Sequence, residues 1–168
     1  MLASPLVVNC GGSRTLYDYD TKARFEAYET FHWLEERAGG TSVIQPVDQA
    51  LREAITYYLE ARGLRLVNGE GDVAVTYHVG NKAPIAPGDA YTYWPPRWSY
   101  GGYYGGAAAF VFPKGALIVD LVDRRKNRLV WRGSTAKAIR QAALEKQAAR
   151  IEEAVAELMA QYPPRTYQ

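Results

Sequence analysis

The chain has 168 residues, enough for one domain with a substantial hydrophobic core and too few for two such domains. Hydrophobic residues make up 48% and charged residues 23%, which are ordinary globular values, so neither a disordered chain nor a bundle of membrane helices is indicated. The net charge of +2 gives no dense basic surface, and no nucleic-acid partner is expected.

The only cysteine, Cys10, follows a short apolar run and precedes a flexible Gly-Gly-Ser sequence. Val7 and Val8 suit the four-residue box that closes on the modified cysteine of bacterial lipoproteins, whereas Asn9 departs from the small residue expected there. Three interpretations remain open: a diacylglyceryl anchor on Cys10, an exported protein cleaved elsewhere, and a cytosolic protein with a free thiol. We favour the anchor, with residues 1–15 as an N-terminal tether.

The first half of the chain predicts two strands and a helix. Leu16–Asp20 alternates apolar and acidic residues, and Thr30–Leu34 is rich in β-branched and aromatic residues, so both are expected to be strands. The apolar spacing then becomes helical. Pro46 suits the first helical position and Gly63 suits the position after the last turn, which predicts a helix over Pro46–Arg62.

Two hairpins are predicted next. The turn sequence Asn68–Gly71 separates the strands Leu64–Val67 and Asp72–Val79, which are therefore expected to pair with each other. Ala116–Val122 and Leu129–Thr135 form the second pair of strands.

One buried ion pair is expected within the second hairpin. A three-residue loop at Arg125–Asn127 would place Asp120 opposite Arg132, and Asn127 tolerates the left-handed conformation that such a loop needs. Because Asp120 lies in an apolar strand, it requires a partner if it is buried. We interpret Asp120 and Arg132 as a structural pair.

The last predicted element is a helix over Ile139–Gln161, which Pro163 ends. Together these elements predict a single α+β domain over residues 16–165. We expect a mostly antiparallel sheet of about six strands with both main helices packed on one face.

The segment 80–115 combines glycines and prolines, which disfavour regular structure, with aromatic residues, which gain by burial. Structureless loops longer than about 15 residues are uncommon in compact domains and are often functional. Two interpretations remain open: an insertion without a ligand, and a surface that presents aromatic rings to a glycan or a protein. The candidate binding residues in this segment are Tyr91, Tyr93, Trp94, Trp98, Tyr100, Tyr103 and Tyr104.

Few other residues suggest chemistry. His32 and His78 lie on different predicted strands and could meet, yet no third ligand is spaced to complete a metal site. Asp18 and Asp20 share a strand face, which suits a solvated edge better than a cation site. The sequence shows no cysteine pair, phosphate-binding loop or nucleophile elbow, so we expect no cofactor, no metal and no enzymatic activity.

The densest basic cluster is the predicted turn of the second hairpin. Such a turn could meet anionic lipid or a phosphorylated glycan, although charged hairpin tips are commonly just solvated. Its members are Arg124, Arg125, Lys126 and Arg128.

Several segments together resemble the bacterial lipoprotein family called domain of unknown function 4136. The resemblance covers nearly the whole chain and rests on the order and spacing of its blocks. These blocks are Tyr17–Asp20 with Phe25, Tyr28, Thr30 and Trp33; Arg62–Gly63; Asp72–Val73; Leu117–Asp123; Leu129–Gly133; and Tyr162–Pro164.

The resemblance implies an envelope protein with an N-terminal lipid, on the periplasmic face of the bacterial outer membrane, and it carries over no functional residue except Cys10. We therefore expect a lipid-anchored binding or scaffold module of unknown activity, held to the membrane by its N-terminal lipid, with cell-wall glycan or an envelope protein as the expected partner. The alternative is an accessory hydrolase or metal-dependent enzyme using His32, His78 or Asp120.

Overall fold

A computed structural model describes residues 15–34, 45–79, 84–85, 110–111, 115–135 and 144–164, with the backbone alone at 84–85, 110–111 and 144–147. Its helices are α1 (Gln45–Glu60) and α2 (Leu144–Met159), and one 3₁₀ turn covers Phe25–Ala27. Its strands are β1 (Thr15–Tyr19), β2 (Thr30–Trp33), β3 (Arg65–Leu66), β4 (Val73–Val79), β5 (Pro84–Ile85), β6 (Phe110–Val111), β7 (Leu117–Asp123) and β8 (Arg128–Thr135).

Six of the strands form one sheet in the order β1-β8-β7-β4-β2-β3, and β5 pairs with β6 separately. Neighbours in the sheet are antiparallel except that β2 runs parallel to both β3 and β4. This arrangement confirms the predicted α+β class and the mostly antiparallel sheet.

Both helices pack against one face of the sheet, and that face carries the main core. α1 contributes residues at the helical spacing seen in the sequence, from Val47 to Leu59, and α2 contributes Ile151, Val155 and Leu158. Trp131 of β8 is fully buried in this core, and its ring lies 5.6 Å from the ring of Tyr162 after α2. Within the described parts of the chain, neither helix combines the length and the apolarity needed to cross a membrane.

The predicted hairpin between β3 and β4 is wrong, because β2 lies between these two strands. Val67 donates its N–H to the Phe31 carbonyl, at 2.9 Å, on one side of β2, while Phe31 pairs with Val73 on the other side. Because β3 and β4 both run parallel to β2, the turn sequence does not reverse the strand direction as a hairpin turn would. Here the connection crosses the end of β2, and Gly71 passes directly against the backbone of Phe31.

The helix boundaries differ little from the prediction where they can be compared. α1 ends at Glu60, and Gly63 adopts the left-handed φ of +90° that stops it, while the Leu64 N–H returns to the Leu59 carbonyl at 3.2 Å. The predicted beginning of the last helix, residues 139–143, lies outside the described residues.

Different groups of residues lie at the two ends of the sheet. At the end that we call the tether end, the register aligns Thr15, Thr135, Leu117 and Val79 in one row across four strands. At the opposite end, which we call the turn end, β7 and β8 are joined by residues 124–127. The 3₁₀ turn also lies at the turn end, because the hydroxyl of the next residue, Tyr28, donates to Asp123 at the end of β7. The residues that follow α1 and α2 join it there, since Phe25 contacts Tyr162 and Arg62 donates to the Tyr162 carbonyl.

Candidate functional site

Polar residues form a row on the sheet face opposite the helices. The register sets Asp18 of β1 opposite Arg132 of β8, Arg132 opposite Asp120 of β7, and Asp120 opposite Thr76 of β4. We call these four residues the polar row. Each is at most 5% exposed. Buried charged groups require hydrogen-bond or ion-pair partners, so the positions of these four side chains are fixed by their neighbours in the sheet.

Asp120 and Arg132 form a bidentate ion pair. The Arg132 Nε and Nη2 atoms donate to the two carboxylate oxygens of Asp120, the fork-to-fork geometry that makes such pairs strong and directional. The sequence predicted this pairing, but by a loop that is one residue too short. The connection has four residues, 124–127, and a bulge at Val130 shifts the register back so that Asp120 meets Arg132.

Asn127 adopts the predicted left-handed conformation, with φ of +47°. Asparagine accepts this conformation at lower cost than most residues do, because its side chain can bond to nearby backbone. The turn and the bulge together fix the register of β7 and β8. A buried ion pair adds little net stability over well-packed apolar residues, so specifying this register is the physical role that best explains it.

His78 lies beside the polar row. Its Nε2 atom is 3.9 Å from Asp120 Oδ2 and is buried without a hydrogen-bond partner. Burial lowers the pKa of His78, and the Arg132 guanidinium lowers it further, whereas Asp120 acts in the opposite direction. The imidazole is therefore neutral at pH 7 and adds no second positive charge beside Asp120.

His32 lies apart from His78. Its position in β2 is opposite Ala74, four residues before His78 in β4, which corresponds to about 13 Å along the strand. The Nδ1 atom of His32 accepts a hydrogen bond from the Gly71 N–H at 3.0 Å, which places the imidazole proton on Nε2. The described residues include no group of three metal-ligating side chains, so the enzyme alternative gains no paired histidines from the fold.

The predicted basic cluster at the turn end is matched by carboxylates. Each of its four cations lies within 4 Å of a different acidic side chain: Arg124 with Glu70 at 3.6 Å, Arg125 with Asp72 at 3.4 Å, Lys126 with Asp123 at 3.5 Å, and Arg128 with Asp20 at 3.3 Å. Local charge is thereby balanced, which disfavours this turn as a contact for an anionic surface.

Asp18 and Asp20 have different hydrogen-bond partners. Asp18 belongs to the polar row, and one of its carboxylate oxygens accepts from the Tyr19 N–H at 2.9 Å. Asp20 instead accepts from the Lys22 N–H at 2.9 Å and pairs with Arg128. Their two residue spacing in the sequence therefore reflects two separate structural roles.

Asp72 is a structural residue that the sequence did not reveal. Its carboxylate accepts hydrogen bonds from the backbone N–H groups of Glu29 and Thr30, both at 3.1 Å, and from the Thr30 hydroxyl at 2.9 Å. The Glu29 N–H is the largest cause of the lowered pKa of Asp72. These bonds attach the start of β2 to the start of β4 and so support the parallel pairing of those strands.

A cavity of about 410 Å³ lies at the turn end, and no sequence pattern predicted it. We call it the helix-end cavity, because residues that directly follow α1 and α2 form two of its sides and the 3₁₀ turn forms the third. Its lining consists of Phe25, Glu26, Tyr28, Glu29, Arg62, Gly63, Leu64, Tyr162, Pro163 and Pro164. The two sequence blocks Arg62–Gly63 and Tyr162–Pro164 meet here although 100 residues separate them.

Cys10 and the aromatic candidates Tyr91, Tyr93, Trp94, Trp98, Tyr100, Tyr103 and Tyr104 lie outside the described residues. The described chain next to the aromatic residues comprises β5 and β6, which pair antiparallel with Pro84 opposite Val111. The strands that lead into and out of the segment 80–115 are β4 and β7, which are neighbours in the sheet.

The family model for a domain of unknown function (DUF4136) matches residues 15–164 of the chain. The protein belongs to this family. The match begins at the first residue of β1 and ends just after α2, so the family unit coincides with the described domain. None of the curated proteins compared with the sequence matches it.

Two solved structures are similar to this fold. A DUF4136 family protein from Bacteroides thetaiotaomicron has a TM-score of 0.60 and 18% identity, over 90% of this chain and 96% of that one. A PDZ domain protein from Parabacteroides distasonis has a TM-score of 0.50 and 13% identity, over 92% of this chain but only 37% of that one. At these identities the likeness shows a shared fold and no shared activity.

Proposed function

We propose that this DUF4136 protein is a lipid-anchored protein of the bacterial envelope, on the periplasmic face of the outer membrane, that acts as a binding or scaffold module. The observation that carries the proposal is the row of residues at the tether end. Thr15, the first residue of β1, is only five residues from Cys10 in the sequence, a span of at most about 18 Å. A lipid on Cys10 would hold the tether end close to the bilayer.

The aromatic segment begins at the same end of the sheet. Val79 and Leu117, which flank the segment 80–115, are directly paired and lie in the same row as Thr15. The rings that we propose as a binding surface are therefore connected to the membrane-proximal side of the domain. Aromatic side chains combine an apolar face with a polar edge or tip, which suits cell-wall glycan and protein partners.

The state of the described ionisable groups supports binding over catalysis. Asp120 and Arg132 are bound to each other in a bidentate ion pair, and the Nδ1 atom of His32 accepts a hydrogen bond from the Gly71 N–H. A catalytic group must reach a substrate, whereas the polar row is buried. We therefore propose no reaction for this protein.

The anchor is tested by replacing its thiol. We expect wild-type protein, expressed in a bacterial host behind a complete lipoprotein signal, to fractionate with membranes and to carry acyl groups on Cys10. The Cys10→Ser variant should carry no acyl groups at this position, because serine cannot form the thioether. Mass spectrometry of the N-terminal peptide is the decisive measurement. An unmodified internal Cys10 in membrane-free wild-type protein would contradict the anchor.

The aromatic surface is tested separately from the anchor. We expect the double variant Trp94→Ala/Trp98→Ala to lose at least about tenfold in affinity for purified peptidoglycan or for an envelope partner, since each lost aromatic contact can contribute 1 kcal/mol or more. Tyr57→Ala is the matched control, because Tyr57 is an exposed aromatic residue on α1, with 66% of its surface accessible. Equal affinities for wild type and the tryptophan variant would remove this surface from the proposal.

A further inference from the structure

We propose that the helix-end cavity binds an organic ammonium group carried on an aliphatic chain, of the kind that ends a lysine side chain. The cavity lies at the turn end of the sheet, whereas Thr15, Val79 and Leu117, the described residues nearest to Cys10 and the aromatic segment, lie at the tether end. The inference specifies a ligand for the proposed binding role, but its test does not require a lipid or a tryptophan of the segment 80–115.

The shape of the cavity suits a small ligand. Its volume of about 410 Å³ falls within the range of small-molecule sites. Phe25, Tyr28 and Tyr162 supply aromatic walls that pack edge to face, with Phe25 6.0 Å from the Tyr28 ring and 5.8 Å from the Tyr162 ring. Packed rings cannot shift without disturbing each other, so these walls are set before any ligand arrives.

The electrostatics of the cavity favour a cation. α1 and α2 both end beside it, and each helix has a partial negative charge at its C-terminal end. Glu26 and Glu29 also line the cavity, and both are exposed and able to turn towards a ligand. The two helix ends and the two carboxylates are all negative, and all of them lie beside the same cavity.

Arg62 is the one cation among the lining residues, and its guanidinium already has other partners. Its Nε atom donates to the Tyr162 carbonyl, and one terminal nitrogen donates to the Tyr58 carbonyl at 2.9 Å. The guanidinium also lies 5.8 Å from the centre of the Tyr58 ring. Arg62 therefore joins the two helix ends and leaves Glu26 and Glu29 available to a ligand.

An organic ammonium fits this lining better than a metal ion does. The described residues offer no group of three metal-ligating side chains, and a hard cation such as Ca²⁺ requires six to eight oxygen ligands. An ammonium group needs only a few acceptors, and its aliphatic chain can pack against rings and prolines.

The test is a titration of the full chain with Nα-acetyl-lysine methylamide, followed by backbone amide NMR. We expect shifts to concentrate at residues 25–29, 62–64 and 162, and the uncharged norleucine analogue should cause none of them. Glu26→Gln/Glu29→Gln should weaken binding at least about tenfold, because it removes both carboxylates. Glu152→Gln, an exposed residue on α2 that does not line the cavity, is the control for loss of a negative charge and should leave binding unchanged.

Two further ligands distinguish the source of the ammonium group. Tighter binding of a lysine-containing tripeptide would indicate a protein partner, and tighter binding of a free diamino acid would indicate a small amine; either result supports the site. The proposal is overturned if lysine and norleucine analogues give the same shifts, if the shifts lie elsewhere, or if the double variant binds as well as wild type. None of these outcomes depends on lipidation or on peptidoglycan binding.

Discussion

Replacement of Arg132 by methionine should lower the free energy of unfolding by about 3–5 kcal/mol, because it leaves the fully buried carboxylate of Asp120 without its guanidinium partner. Domains of this size are stable by only about 5–15 kcal/mol, so the variant should unfold at a much lower urea concentration. The methionine retains the length and apolar volume of the arginine stem, which isolates the loss of charge from the loss of packing.

Two controls separate this explanation from a general sensitivity of the sheet. Arg125→Met removes an arginine that is 86% exposed and paired with Asp72, and this surface ion pair should contribute less than about 1 kcal/mol. Asp120→Leu/Arg132→Met removes both charges of the buried ion pair and should recover most of the stability lost in the single variant. A double variant as unstable as the single one would show that the pair is not the cause.

The loss in Arg132→Met should also depend on pH. His78 Nε2 is 3.9 Å from Asp120, and in the wild type the Arg132 charge opposes its protonation. Burial lowers the pKa of His78 in both proteins, but the variant lacks the further lowering by Arg132, so its folded pKa lies closer to the unfolded value of about 6.5. A lowered folded pKa costs stability as the pH falls through the unfolded value, and the variant loses less stability in this way than the wild type does. The destabilisation should therefore be larger at pH 8 than at pH 6.

Local sequence features predicted the elements of this fold well, and long-range features less well. The helical spacing and Gly63 located α1, because both act within a few residues. Asp120 and Arg132 were paired correctly because a hairpin restricts the choice of partners. The bulge at Val130 was not visible, since an extra residue in a strand leaves no distinct local sequence signal.

The position of β2 and the helix-end cavity depend on contacts between distant segments. β2 lies between β3 and β4, and Thr30 at its start donates two hydrogen bonds to the Asp72 carboxylate. The spacing of residues in the sequence does not predict these bonds. The cavity is built from residues around 25–29, 62–64 and 162–164, and each of these pieces alone is an ordinary turn or helix end. Its electrostatic character arises only when the two helices end side by side, which a sequence pattern cannot show.

The second large effect is expected at Gly71. The chain crosses β2 so closely there that one added methyl group should destabilise the fold. A Cβ atom at Gly71 would lie 2.9 Å from both the Cα and the carbonyl carbon of Phe31, a distance that neither backbone can accommodate without moving. Phe31 is fully buried and its strand is bonded on both sides, so movement would disturb β3 and β4 together. We expect Gly71→Ala to lower the free energy of unfolding by about 2–3 kcal/mol.

Gly69 provides the matched control for this steric explanation. It lies in the same connection, and a Cβ atom there would meet nothing within 4 Å. Gly69→Ala should leave stability within about 0.5 kcal/mol of wild type or raise it slightly, because alanine restricts the unfolded chain. Urea unfolding of both variants, with the Gly71 N–H to His32 bond followed by NMR, is the measurement. Equal stabilities for the two variants would mean that the chain does not cross β2 as closely as the fold requires.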